Sequence, residues 1–436
     1  MLTLTREAAQ KRALTVLVCA QILSGAGLAA GITVGAILAE DILGTTALAG
    51  LPTALFAAGS ALAAVLIGRV SQRSGRRPGL AAGYLGGAVG AVGTVVAASV
   101  ENAPLLFVSL FVYGAGSATN LQARYAGADL AEPHRRASSI STVLVATTLG
   151  AVAGPNLVEP TGVVAESFGL PALTGPFLLA ALAYAAAALV LATALRPDPL
   201  VLARHLATTE LAAAAAPPSD GGASASDVVP DRSAAQVPDA PAPTGLATHA
   251  DDRSGVRLGA VVMVTTQIIM AAVMTMTPVH MKHHGHGLGA TGLVIGLHIA
   301  AMYLPAPLSG RLVDRFGARA VARLAALTLV GAALTAAFAP PTSLPLVALA
   351  LILLGLGWSL GLVSGTTALT DAVPLAQRAR TQGSVDVLVS IGGAGAGMAS
   401  GLVMSTWSFG TLGVLCAVLA IALTALLTLR ATPRPA

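Results

Sequence analysis

The chain is expected to fold as an all-α membrane protein, with twelve transmembrane helices in two six-helix bundles, and three observations carry that expectation. Hydrophobic residues make up 55% and charged residues 10% of its 436 residues, and mean hydropathy is +0.80. A chain this apolar uses lipid as its solvent. Twelve apolar runs approach the ~20 residues that a helix needs to cross the hydrocarbon core, and a polar, proline-rich stretch at 196–256 divides them six and six.

Spans 1 to 6 fall at 13–38, 47–70, 79–98, 104–126, 139–158 and 173–195. Arg6, Lys11 and Arg12 precede span 1, whose run is too long for the apolar region of a signal peptide and is read as a helix. Glu40 and Asp41 end span 1, the Gly68–Arg77 loop follows span 2, and Glu101 follows span 3. Asp129 to Arg136 close span 4, and Glu159 and Glu166 separate spans 5 and 6. Spans 7 to 12 fall at 258–281, 289–309, 320–338, 344–370, 383–404 and 407–429. Lys282 and a histidine run follow span 7, Gly310–Arg319 follows span 8, and Asp371 to Arg378 follow span 10.

Basic residues orient the spans. With both termini in the cytoplasm, 23 of the 24 Lys and Arg residues fall inside and only Lys282 lies outside. Glu40, Asp41, Glu101, Glu159 and Glu166 then form an acidic outer rim. The net charge of +5 is met by anionic lipid at the inner leaflet, so no nucleic-acid partner is implied. Cys19 and Cys416 lie in the first and last spans without the spacing of a disulfide or metal site, and are expected as buried small side chains.

Residues 196–256 scatter Pro197, Pro199, Pro217, Pro218, Pro230, Pro238, Pro241 and Pro243 among Ala, Ser and Asp, the composition of a disordered cytoplasmic linker. The expected organisation is an N-terminal bundle at 1–195, this linker, and a C-terminal bundle at 257–436. The halves repeat. Gly68 to Arg77 matches Gly310 to Arg319, and Asp129 and Arg136 match Asp371 and Arg378, each pair 242 residues apart.

Gly310 to Arg319 resembles the loop signature GxLxDRxGxR of the major facilitator superfamily, which that family carries between spans 2 and 3 and again between 8 and 9. The resemblance implies a latch that ties helices together at the cytoplasmic face and breaks as the halves rock. Its residues here are Gly68, Arg73, Gly75 and Arg76 in the first copy, and Gly310, Asp314, Arg315, Gly317 and Arg319 in the second. Gln72 stands where the first Asp would be, so that latch is expected to be weaker or to use another partner, with Asp386 as candidate. Gly150 to Pro155 resembles in part the GxxxGP motif of exporters, a spacing that close helix packing also explains.

Eight of the nine methionines lie from Met263 onward, six of them between Met263 and Met302, and five of the eight histidines fall between His280 and His298. Met263, Gln267, Met270 and Met274 form one stripe on span 7. At ~1.5 Å per residue, Met270 and His298 reach the same depth near the bilayer midplane, with Met274 above and Met302 below. Thioethers and imidazole are ligands for soft metal ions, and a histidine inside a membrane is a functional candidate. The repeat puts Leu28, Ile32, Phe56 and Ser60 at the corresponding positions, so the fold itself does not require these side chains. At the outer mouth, His280, Met281, His283, His284 and His286 are expected to gather cations.

MxxxM on span 7 with HxxxM on span 8 resembles the CcoA-like bacterial copper importers, a branch of the same superfamily that supplies copper for cytochrome oxidase assembly. That resemblance implies a monomeric copper importer of the bacterial inner membrane, with Met270, Met274, His298 and Met302 as metal ligands, copper as cargo, and no cofactor. The alternative is a proton-linked exporter of drugs or metabolites, with Met263, Met270 and Met274 as an adaptable wall and Tyr113, Asn120, Gln122 and Trp358 lining the pocket. A metal receptor signalling through 196–256 has no amphipathic or charged motif there to support it. No nucleophile stands with a base, so the chain is not expected to be an enzyme. No Asp or Glu lies mid-membrane in spans 1, 4, 7 or 10, which leaves His298 as the central titratable group.

Overall fold

Apolar runs become helices because the bilayer core offers no water to backbone N–H and C=O groups, and a helix satisfies them internally. The computed structural model describes residues 5–33, 38, 51–215 and 253–429. Among these, ten helical segments are long and apolar enough to cross a membrane. Spans 1 and 5, as helices Arg6–Thr33 and Arg136–Asn156, complete the twelve. The acidic rim residues Glu40 and Asp41 lie outside the described residues.

Two spans are broken by proline. Span 5 stops at Asn156 and resumes as Val158–Ser167, since Pro160 has no N–H to continue the ladder. Span 8 runs as Leu288–Tyr303 and then Ala306–Phe316, with Pro305 at the break just inward of Met302. Span 7 extends to Arg253–His283.

Each half repeats the other's packing. Span 1 packs on 5 and 6, and span 4 on 2 and 3; likewise span 7 packs on 11 and 12, and span 10 on 8 and 9. The halves meet along two seams, span 2 against 11 and span 5 against 8.

The loop glycines make those seams possible. Gly75 (φ 99) and Gly317 (φ 84) take the left-handed turn between helices. A Cβ on Gly68 would lie 2.8 Å from the Ala379 carbonyl oxygen, and one on Gly310 would lie 2.7 Å from that of Ala137. The two contacts are repeat equivalents.

Asp314 accepts from the backbone N–H of Ala137 (3.0 Å) and Ser138 (2.9 Å), capping the start of span 5. Gln72 does the same for span 11, its Oε1 accepting from Ala379 N–H (2.9 Å) and Arg380 N–H (3.4 Å) while its Nε2 donates to the carbonyls of Leu375 and Ala376. The substituted latch therefore keeps its own partner, and Asp386 is not it. Arg76 is fully buried and pairs with Asp129 (2.7 Å) while donating to Gln382 across the seam (2.6 Å). Arg136 reaches Asp371 at 2.6 Å. Arg73 is exposed, and Arg315 lies over the Phe316 ring. Among the described residues, every hydrogen bond and ion pair between the halves lies toward the face that carries the basic loops.

Two expectations need correction. The supposed linker begins with a helix, Pro199–Ala215, because Pro199 suits a first turn and Asp198 accepts from Leu200 N–H (3.0 Å) and Arg77 N–H (2.7 Å). Leu200 and Ala203 bury against the N-terminal half; residues 216–252 lie outside the described residues. Deleting 219–249 is expected to leave transport within about twofold of the full chain. Deleting Pro199–Ala215 instead is expected to lower the melting temperature in detergent, which a thermal melt of both variants checks. Cys416 is buried as expected, but Cys19 is exposed.

Candidate functional site

His298 is fully buried, and its Nδ1 lies 2.8 Å from the Leu351 carbonyl oxygen on span 10. A carbonyl only accepts, so Nδ1 carries the proton and, in the neutral ring, Nε2 keeps its lone pair. Nε2 is buried and has no hydrogen-bond partner among the described residues. The close approach is built by Gly355, where a Cβ would lie 2.6 Å from the His298 carbonyl oxygen and 3.0 Å from Met302 N.

Met302 and Met263 are buried in one apolar cluster with Trp358, against which Met270 and Tyr303 pack. Met274 packs against the next cluster, which holds Val294 and Leu351, and Met270 borders both. The four motif residues are thus gathered around span 10. Spans 7 and 8 meet only marginally, and each packs along span 10.

Beside them, Trp358 Nε1 donates to Gln267 Oε1 (2.9 Å), and the Tyr303 ring stands edge-on to the Trp358 ring at 5.6 Å. Trp358 thus stands in the same cluster as Met263 and Met302. Tyr113, Asn120 and Gln122 do not: Tyr113 donates to the Gly27 carbonyl, Asn120 to Ser24, and Gln122 to the Ala64 carbonyl, all buried inside the N-terminal bundle. Those polar side chains hold spans 1, 2 and 4 together.

The outer histidines are partly committed to packing. His280 stacks on Phe409 (4.2 Å between centroids) and contacts the His284 ring (4.4 Å). His284 Nδ1 donates to the His280 carbonyl at 2.8 Å, and His286 Nε2 to that of Pro341 at 2.9 Å. Met281 is buried, while Lys282 and His283 are exposed. Among the described residues no three His, Cys, Asp or Glu side chains stand close enough to hold an ion. The histidine run is a mouth lining rather than an assembled cage.

One constellation went unread in the sequence. Arg124 of span 4 and Asp386 of span 11 form a buried pair at 2.8 Å across the halves. Tyr125 Oη donates to the same Asp386 oxygen (3.0 Å), and Arg124 also donates to Thr366 (3.1 Å), its repeat equivalent. Thr366 in turn points its hydroxyl at the Met263 sulfur, 3.9 Å away. The signal was present: two opposite charges, each inside an apolar run, are expensive unless paired.

A family model described as Major Facilitator Superfamily matches residues 17–302 and 258–436. The uncharacterized MFS-type transporter YdeG of Bacillus subtilis (strain 168) is 51% identical over 413 residues, covering 95% of this chain and 90% of that protein. Riboflavin transporter RfnT of Brucella anthropi is 28% identical, over 88% of this chain and 87% of its own. Among solved structures, the proton:xylose symporter XylE superposes with a TM-score of 0.72 at 14% identity, covering 98% of this chain and 97% of that one, a likeness of fold.

Proposed function

The chain belongs to the Major Facilitator Superfamily and is a multi-pass membrane transporter, not an enzyme, and on that footing we propose that it imports copper across a bacterial inner membrane by alternating access. The observation that carries the reading is the buried, unpartnered Nε2 of His298. A metal-bound histidine characteristically donates its other ring N–H to a carbonyl, which fixes the tautomer and aims the free lone pair at the ion. His298 has that arrangement through Leu351. Thioethers from Met302, Met270 and Met263 share the neighbouring cluster, giving a neutral, soft donor set suited to Cu(I). Met274 extends the set outward, and the repeat-equivalent positions of the other half hold no such ligands.

A second reading has its own support. Trp358, Tyr303 and Gln267 present an aromatic wall with a polar amide, suited to a planar organic cargo, and one relative is named as a riboflavin transporter. Uptake of radioactive copper into proteoliposomes under reducing conditions separates the two. Excess Ag(I) is expected to cut uptake at least ~10-fold, and Zn(II) or Mn(II) less than about twofold, because the site lacks carboxylates and offers zinc one preferred ligand. Equal inhibition by zinc transfers selectivity to His280–His286. Accumulation of riboflavin, indifferent to silver, gives the case to the second reading.

A further inference from the structure

We propose that Asp386 is the proton-binding site of this transporter, and that a proton arriving there from outside unlocks the cytoplasmic gate. Asp386 is 4% exposed and sits about 12 Å into span 11 from Arg378, at 1.5 Å per residue. One of its oxygens takes both bonds, from Arg124 and Tyr125; the other, Oδ2, is buried with no partner among the described residues. Oδ2 is where a proton would add. The repeat equivalents of Arg124 and Asp386 are Thr366 and Leu144, so neither charge is demanded by the scaffold.

The pair bridges the halves at the face where the polar contacts between the halves cluster among the described residues, so the halves cannot part there without separating it. In a medium of low dielectric that separation is costly while both groups are charged. A proton on Oδ2 removes the acid's charge. Arg124 keeps its bonds to the Leu121 carbonyl and to Tyr125 Oη, both on its own span, and can leave with its half. Once that face opens, Asp386 meets cytoplasmic water, releases the proton and pairs again as the face closes. One proton enters from outside and leaves inside per cycle.

The other titratable neighbours do not compete for this role. Arg76 lies close enough to interact, but is held by Asp129 and Gln382. Span 2 carries only Arg69 and Arg73 at its inner end, and span 7 only Arg253 and Arg257 there, with Lys282 and the histidines at its outer end. Span 10 ends in Asp371, which Arg136 occupies, and span 12 offers only Cys416. The assignment rests on no particular cargo, and the test needs none.

Spin labels are placed at Ser74→Cys and Phe316→Cys, exposed at the inner ends of spans 2 and 8, with Cys19 and Cys416 replaced by Ala. Electron-electron distance measurement in nanodiscs is then run from about pH 8 to about pH 3.5, a range that extends below the ordinary aspartate value of about 3.9. The population with separated labels is expected to rise at least ~10-fold on acidification. Asp386→Asn is expected to show that population at every pH without a pH response, and Asp386→Glu to restore the response. A label distance in the wild-type background that does not change with pH overturns the proposal, whether or not the variants fold. So does a pH response retained by Asp386→Asn. Failure of copper uptake alongside an intact pH-driven separation discards the copper reading alone.

Discussion

His298→Ala is expected to abolish copper uptake, lowering it ~100-fold or more while the protein remains folded and monodisperse, because an ion stripped of water at mid-membrane has no substitute for the one imidazole there. His298→Asn is the sharper variant. The asparagine amide N–H stands where Nδ1 does and can donate to the Leu351 carbonyl, so the contact between spans 8 and 10 survives, but the Nε2 lone pair is lost. If His298 only packs, His298→Asn transports at close to the normal rate and the ligand assignment fails. If it binds metal, both variants are silent in proteoliposome uptake. Met302→Ala and Met274→Ala are expected to retain part of the activity, since each leaves the other thioethers of the proposed set in place.

Gly310→Val is expected to stop transport by propping open the seam between spans 5 and 8. A Cβ there meets the Ala137 carbonyl oxygen at 2.7 Å and Ser138 Cα at 2.9 Å, backbone atoms that cannot rotate away. Overpacking of this kind costs about 1–3 kcal/mol, enough to shift a two-state balance roughly 5- to 150-fold. Because the strain exists only when the seam is closed, it falls on the closed state and not on the fold. The labels at 74 and 316 are expected to report separation at every pH, with uptake reduced at least ~10-fold. Gly68→Val is expected to act likewise on the other seam, where Ala379 O and Gly383 Cα lie 2.8 and 3.1 Å from the added carbon. Normal uptake by either variant would show that its seam does not have to close.

The fold was legible because lipid leaves the chain few choices: apolar length gives the spans, and the repeat at 242 residues gives the matched packing of the two halves. The helix Pro199–Ala215 was obscured by prolines on both sides of it, although Leu200, Leu202, Ala203 and Leu206 already spelled an apolar stripe. At the metal motifs, spacing picked out the residues but not the neighbour that they share. That span 10 packs between spans 7 and 8 depends on contacts such as Gly355 with His298, more than fifty residues apart. The Arg124 and Asp386 pair was missed for a related reason. Each charge reads alone as an end-of-span residue, and only the docking of the two halves brings them to 2.8 Å.

Asp314 and Gln72 grip equivalent helix starts with unequal strength. A carboxylate at a helix N-terminus gains from the positive end of the dipole and from charge-assisted bonds about twice as strong as neutral ones; an amide gains neither. The near-twofold symmetry of the architecture is therefore not expected to extend to its motion: the 2/11 seam, held by an amide, is expected to part more readily than the 5/8 seam, held by a carboxylate, and labels placed across each seam would separate to different extents.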